Sequence, residues 1–143
     1  MIFSNIFKTD YLIITSREWR YILYSLLTKM RKFSKREILN LKLFSMPIEK
    51  KDILEKDPQA KGKDIFTSEN KFFVGIWEAN ISKFNYTYEE DEACYILKGK
   101  AIVKKKNKKI ELNPGDLVFF KKGESVVWQI LSKLRKIYFI YEK

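Results

Sequence analysis

The chain has 143 residues, of which 45% are hydrophobic and 15% aromatic, enough apolar material for the core of one compact domain. It contains no histidine and a single cysteine, which excludes Ser-His and Cys-His nucleophile pairs, histidine-ligated metals and an intramolecular disulfide framework. The formal net charge of +11 is spread over both halves of the chain, so we predict a basic surface rather than a nucleic-acid partner.

The first 45 residues form a basic segment in which apolar side chains recur at steps of three and four. This spacing predicts one or two amphipathic helices within residues 16–44. The apolar stripe consists of Trp19, Ile22, Leu23, Leu26, Leu27, Met30 and Phe33. Three interpretations of residues 1–45 stay open: a targeting segment, an extension without selected function upstream of a working start at Met46, or an element that packs on the next domain or lies on a membrane. The single cysteine favours the cytoplasm, with an organelle as the alternative if residues 1–45 are a transit segment.

Residues 46–70 are polar and contain the first proline and the first glycine of the chain. We interpret them as a linker that docks partly onto the following domain, with a short helix or an edge strand near residues 48–56. From residue 71 onward, short segments rich in β-branched and aromatic residues alternate with turn signals, which predicts a β-barrel. The predicted strands are residues 72–79, 83–89, 92–98, 100–105, 108–113, 117–121, 125–131 and 135–142. Gly99, Gly115 and Gly123 fall between strands, at turns where we expect a side chain to clash.

Two segments of the predicted barrel together resemble the two motifs of the cupin family. Glu92-Ala-Cys-Tyr-Ile-Leu-Lys-Gly99 is similar to the end of the first cupin motif, whose acid is commonly a metal ligand. Pro114-Gly-Asp-Leu-Val-Phe-Phe-Lys-Lys-Gly123 is similar to the second motif. More narrowly, residues 72–142 resemble the single-domain cupins grouped with the cupin domain of ureidoglycine aminohydrolase. The resemblance implies an all-β, cupin-type antiparallel barrel, or jelly roll, at residues 71–143, preceded by a basic helical N-terminal extension.

The resemblance also implies where a cupin would hold its metal. The first motif normally has histidines four and six residues before the acid, where this chain has Tyr88 and Tyr86, and the third histidine position holds Val126. Only the acid, Glu92, remains. One carboxylate, two phenols and an isopropyl group do not make a catalytic zinc, iron or manganese site. We therefore predict no bound metal and no cofactor, and we do not expect the metal-dependent hydrolysis of the family's namesake.

Strand alternation predicts which side chains share the barrel interior. If the ligand positions point inward, Cys94, Trp128 and Ile130 join them by parity, and Trp77 lines the mouth. Lys136 and Tyr138 share one face of the last strand, and whether that face is the inner one stays open. The predicted ligand-binding residues are Trp77, Tyr86, Tyr88, Glu92, Cys94, Val126, Trp128, Lys136 and Tyr138.

Two interpretations of the inward aromatic residues stay open: they line a small-molecule pocket, or they fill the core. We interpret Cys94 as a core residue rather than a nucleophile, because the chain has no histidine to activate it. Our first hypothesis is a homodimeric protein that binds a small polar metabolite with a planar or amide-like part, oriented by Glu92. The second is a metal-independent enzyme that uses Glu92 as general acid or base. The third is a structural or interaction module.

Overall fold

The structure is a computed structural model that describes residues 30–143. Most of the predicted apolar stripe therefore lies outside the described residues, and of the predicted helical extension only one short helix, α1 (Lys35–Asn40), falls within them. A single 3₁₀ turn follows at Lys50–Asp52. No helix among the described residues is long and apolar enough to span a bilayer.

Nine antiparallel strands make up most of the rest of the described chain. They are β1 (Phe44–Ser45), β2 (Ile53–Glu55), β3 (Lys61–Thr67), β4 (Phe72–Ala79), β5 (Ser82–Thr87), β6 (Asp91–Lys105), β7 (Lys108–Leu112), β8 (Leu117–Phe120) and β9 (Ser125–Tyr141). The predicted all-β jelly roll is confirmed. Two pairs of predicted strands are each one continuous strand, β6 and β9, because both strands bend without losing their mutual pairing.

The two long strands fold the sheet into two facing layers. The first half of β6 and the second half of β9 pair with each other, and they lie between β8 on one side and β4 with β3 and β1 on the other. The second half of β6 and the first half of β9 form the opposite layer with β7, β5 and β2. Alternate residues of each strand point between the layers, where the core and the cavity described below are found.

Gly99 lies at the bend of β6, a position that requires glycine. Its φ is +84°, and a Cβ atom would lie 2.2 Å from the carbonyl oxygen of Lys133 on β9. Gly115 and Gly123 also have positive φ, but a Cβ atom on either would meet open space. The predicted clash is therefore confirmed at Gly99 and wrong at the other two, which need glycine for backbone conformation alone.

The range that we predicted as a linker, residues 46–70, contains strands of the sheet. Strand β3 pairs with β4 along its length, and Ala60 and Ile65 contribute buried apolar side chains. Apolar residues are few in this range and are surrounded by charged ones, so the alternation of apolar and polar residues that marks a strand is weak. The sequence therefore did not predict β3. The division of the chain into an N-terminal segment, a linker and a barrel stays a prediction.

Side chains cap both ends of the short helix α1. Ser34 Oγ accepts a hydrogen bond from the backbone N–H of Glu37 at 3.2 Å, and the Glu37 carboxylate accepts one from the backbone N–H of Ser34 at 2.6 Å. At the other end, the guanidinium of Arg135 on β9 donates to the carbonyl of Leu39 and, at 2.9 Å, to that of Leu41. Because Arg135 is only 7% exposed, these bonds fasten the described part of the N-terminal segment to the barrel.

Candidate functional site

A cavity of about 390 Å³ lies between the two layers, beside the apolar core. The wall formed by β3, β4, β6 and β9 supplies Asp64, Trp77, Glu92, Lys136, Tyr138 and Ile140. The wall formed by β5, the turn after it and the first half of β9 supplies Phe84, Tyr86, Tyr88 and Trp128. The segment after β1 adds Met46, Pro47 and Ile48. One wall therefore carries the charged groups, and the facing wall is aromatic.

Glu92, Cys94 and Lys136 form a closed triangle of polar contacts at the charged wall. Lys136 Nζ lies 2.9 Å from Glu92 Oε1 and 3.1 Å from Cys94 Sγ, and the thiol donates to the same Glu92 oxygen at 2.9 Å. None of the three residues is more than 8% exposed. The triangle forms because neighbouring strands bring alternate inward positions of β6 beside the inward positions of β9.

Two indole rings enclose the ammonium group of Lys136. Its Nζ atom lies 5.3 Å from the ring centroid of Trp77 and 5.1 Å from that of Trp128. A cation at this distance is attracted to the negative face of an aromatic ring, by about 0.5–2 kcal/mol depending on its desolvation. The ammonium is thus held by one carboxylate and two rings.

Burial and charge together set the protonation states of this cluster. Burial by itself would lower the pKa of Lys136, but the negative charges that Cys94, Glu92 and Tyr88 can carry outweigh burial and raise the pKa well above its ordinary value. Burial raises the pKa of the Cys94 thiol to about 12, and it raises the pKa of Tyr88 well above the ordinary value. At neutral pH Lys136 is therefore an ammonium ion, and Cys94 and Tyr88 are neutral.

A second polar pair lies on the same wall, where Tyr138 reaches across the sheet to Asp64. Its hydroxyl donates to Asp64 Oδ1 at 2.6 Å, and burial raises the pKa of Tyr138. The ring passes over Gly75 on the intervening strand β4, where a Cβ atom would lie 2.1 Å from ring atoms of Tyr138. Glycine at position 75 is what allows the phenol to reach the carboxylate.

The aromatic wall is fixed by ring packing and one hydrogen bond. Tyr88 stacks on Phe120 with centroids 4.2 Å apart and an interplanar angle of 8°, and its hydroxyl accepts a hydrogen bond from Trp128 Nε1 at 3.1 Å. Tyr86 packs edge-on against Tyr88 at 4.8 Å. The Tyr86 hydroxyl makes no hydrogen bond with any residue of the described chain, so this cavity-lining phenol has bonding capacity to spare.

The structure brings together most of the residues predicted to bind a ligand. Seven of the nine line the cavity, and the open question about the last strand is answered, since Lys136 and Tyr138 face inward. Cys94 lies behind Glu92 with no exposed surface, and Val126 lies outside the cavity lining.

Sequence reasoning missed six residues of the lining. Strand parity points to two of them, Phe84 and Ile140, which lie two positions from Tyr86 and from Tyr138. Asp64 was missed because β3 was not recognised as a strand. The remaining three, Met46, Pro47 and Ile48, lie in an irregular segment for which the sequence has no periodic signal.

No three His, Cys, Asp or Glu side chains come together as metal ligands within residues 30–143. At the acid that corresponds to a cupin metal ligand, the partner of the carboxylate is the ammonium of Lys136. The residues present therefore do not fit a transition metal. Metal-free protein stays a prediction.

A jelly-roll barrel of two antiparallel layers with a cavity between them is the architecture of the cupins. Within that class, the chain belongs to the family of the EutQ-like cupin domain, whose family model matches residues 67–138, half of the chain.

Known proteins and solved structures agree with this assignment. The chain is 28% identical over 81 residues to acetate kinase EutQ of Clostridioides difficile strain 630, covering 55% of this chain and 52% of that protein, so it spans about half the length of this curated relative. The structure of the Clostridium difficile EutQ protein is 24% identical, with 67% of this chain and 80% of that chain covered and a TM-score of 0.55. A protein of unknown function from Pseudomonas syringae pv. tomato is 20% identical, with 71% and 45% covered and a TM-score of 0.65. At these identities the two structures show the fold.

Proposed function

We propose that the barrel binds a small polar metabolite in its cavity and does so without a metal ion. The observation that carries this proposal is the ion pair of Lys136 with Glu92, which puts an ammonium beside the acid that corresponds to a cupin metal ligand. The cavity volume of about 390 Å³ falls within the range of about 300–1,000 Å³ for small-molecule pockets. Its largely aromatic lining with a few polar groups is typical of such pockets as well.

Two of the polar atoms at the cavity, one on Glu92 and one on Tyr86, are available to orient the metabolite. The ammonium of Lys136 and the thiol of Cys94 both bind Oε1 of Glu92, and no described residue donates to Oε2. The hydroxyl of Tyr86 is likewise unpaired within the described chain. A planar group stacked against the aromatic wall would bring its polar atoms within reach of both, which supports a ligand with a planar or amide-like part.

The two other hypotheses receive less support. A general acid or base at Glu92 would have to be protonated in its working cycle, which would leave the buried ammonium of Lys136 without its counter-charge. An interaction module with a filled barrel would have no need of a cavity of about 390 Å³. The activity in the name of the curated relative is not carried over, since this chain spans about half of that protein.

We further propose that the protein is a cytoplasmic homodimer whose interface includes β8. This strand pairs with β6 on one side, and no described strand pairs with its other edge. Leu117 and Phe119 on β8 are 53% and 72% exposed, and Tyr95 on β6 extends the same apolar surface. A second copy related by a two-fold axis would present its own β8 antiparallel to this edge and cover the patch.

A thermal-shift screen of the full-length chain against polar metabolites tests ligand binding. The screen is run with excess EDTA, and the wild type is compared with Tyr86→Phe, which removes one hydroxyl from the cavity, and with Ile81→Ser, which changes an exposed residue outside it. We expect hits that stabilise the wild type and Ile81→Ser equally and bind Tyr86→Phe about tenfold more weakly, the cost of one hydrogen bond. A library without any hit in EDTA, or hits that appear only in a parallel screen with zinc, iron or manganese in place of EDTA, would count against the proposal.

A further inference from the structure

We infer that the metabolite held in this cavity is a small organic cation, of the amine, amidine or guanidinium class. The inference rests on the proposed function, because it concerns the same cavity, and it names the charge of the ligand. It follows from the charges of the lining residues and from the aromatic surface that faces them.

The charged groups of the lining do not balance. They are two carboxylates, Asp64 and Glu92, and one ammonium, Lys136. The ammonium is committed to Glu92 at 2.9 Å. Asp64 forms no ion pair with a described residue, and its hydrogen-bond donor is the neutral phenol of Tyr138. The lining therefore has one negative charge in excess, and a ligand with a positive charge would neutralise it.

The facing aromatic wall favours the same charge. Phe84, Tyr86 and Tyr88 present ring surface to the cavity, and the negative face of an aromatic ring attracts cations. The protein already uses this attraction for its own cation, since Lys136 lies between Trp77 and Trp128. A ligand cation between Asp64 and the aromatic wall would repeat that arrangement.

An anionic ligand would meet the opposite conditions. Its only cationic partner in the lining is Lys136, which is 7% exposed and already bonded to Glu92 and Cys94. An anion there would compete with Glu92 for this one ammonium and would be repelled by the carboxylates of Glu92 and Asp64 in the same lining. A neutral ligand would leave Asp64 without a counter-charge.

Three probes of nearly equal size and shape separate these cases: benzamidine, benzamide and benzoate, which differ mainly in charge. They are titrated into the full-length chain at pH 7 with EDTA present, and binding is followed by ligand-observed NMR or calorimetry. We expect benzamidine to bind about tenfold more tightly than benzamide, through a charged hydrogen bond to Asp64 and contact with the aromatic wall, and benzoate to bind most weakly. In Asp64→Asn, which keeps the shape and removes the charge, the preference for benzamidine over benzamide should fall below about threefold. In the control Glu111→Gln, which changes an exposed acid on β7 outside the cavity, it should not change.

The outcomes distinguish this inference from the proposed function. If benzamide or benzoate binds as tightly as benzamidine, or if Asp64→Asn keeps the full preference, the cation inference fails while ligand binding stands. If none of the three probes binds, the inference fails, and the metabolite screen decides whether the proposed function fails with it. Should Asp64→Asn not fold, the order of the three probes on the wild type decides alone.

Discussion

Lys136 and Glu92 form an ion pair in the interior of the barrel, where each charge compensates the other. An ion pair of this kind adds little net stability, because both charges lose their hydration when they are buried. Removing one partner is costly, however, because the other charge then stays buried and uncompensated. The stability of the barrel therefore depends on keeping both residues or replacing both, rather than on either one alone.

This dependence predicts the stability of a single and a double variant. Glu92→Gln should lose about 3 kcal/mol of the free energy of unfolding, and the double variant Glu92→Gln with Lys136→Met should recover most of that loss, because no buried charge is left. Urea unfolding measures both. As a control, Glu55→Gln breaks the exposed pair of Glu55 with Lys83 and should change little. A double variant less stable than Glu92→Gln alone would contradict this account of the pair.

Cys94 should make the protein sensitive to alkaline pH. Burial raises the thiol pKa from 9.0 to about 12 on folding, so its contribution is complete below pH 9 and is lost as the pH rises toward about 12. We expect the free energy of unfolding to fall by about 1 kcal/mol between pH 9 and 10 from this group. The raised pKa values of Tyr86 and Tyr88 act in the same direction at higher pH.

Urea unfolding of the wild type and of Cys94→Ser at pH 8, 9 and 10 measures this contribution. The serine hydroxyl does not ionise in this range, so the stability of the variant should fall less steeply between pH 9 and 10. Equal slopes for the two proteins would show that the thiol is not the titrating group.

The residue scale also shows what could be read from the sequence. Alternation along single strands correctly placed Tyr86, Glu92 and Trp128 on the inner face, because parity is a local property. The bond between Lys136 and Glu92 joins residues 44 positions apart, and it depends on how β6 and β9 pair. No local pattern contains that register, so both residues were predicted for the site, but the sequence could not establish their ion pair.

At the scale of secondary-structure elements, the bends in β6 and β9 determine the shape of the barrel. Glycine at position 99 was visible in the sequence, but the sequence does not show whether pairing continues through the bend. It does continue, with register shifts between residues 96 and 101, and each strand thereby serves both layers. Both facing walls of the cavity thus receive side chains from β9, Trp128 on one wall and Lys136 on the other.

A pair of glycine substitutions tests the role of this bend. Gly99→Ala must accept a positive φ and a contact of 2.2 Å with a backbone oxygen, whereas Gly123→Ala must accept the positive φ alone. We expect Gly123→Ala to cost about 1 kcal/mol and Gly99→Ala to cost clearly more, because backbone atoms of β9 would have to move. Chemical unfolding of both variants gives the comparison. Equal costs would mean that the bend can open without penalty.

The exposed surface of β8 leads to a prediction for the whole molecule. Size-exclusion chromatography with light scattering should show a dimer of the full-length chain, since the apolar patch at Leu117 and Phe119 would otherwise face water. Phe119→Lys should shift the mass to that of a monomer, because it places charges at the interface. Ile81→Lys, at an exposed apolar residue in the turn between β4 and β5, should stay dimeric. A monomeric wild type, or a dimeric Phe119→Lys variant, would exclude β8 as the interface.

Native mass spectrometry of the full-length chain, purified without chelator, tests the central claim of a metal-free cavity that binds a metabolite. One spectrum shows a bound organic molecule and a bound metal ion as different mass increments on each chain. We predict an increment of small-organic mass, no transition metal, and loss of the increment in Ile48→Trp, where the larger side chain fills the cavity from the segment after β1. A chain that carries one zinc, iron or manganese ion would contradict the account. So would an organic increment that Ile48→Trp retains in full.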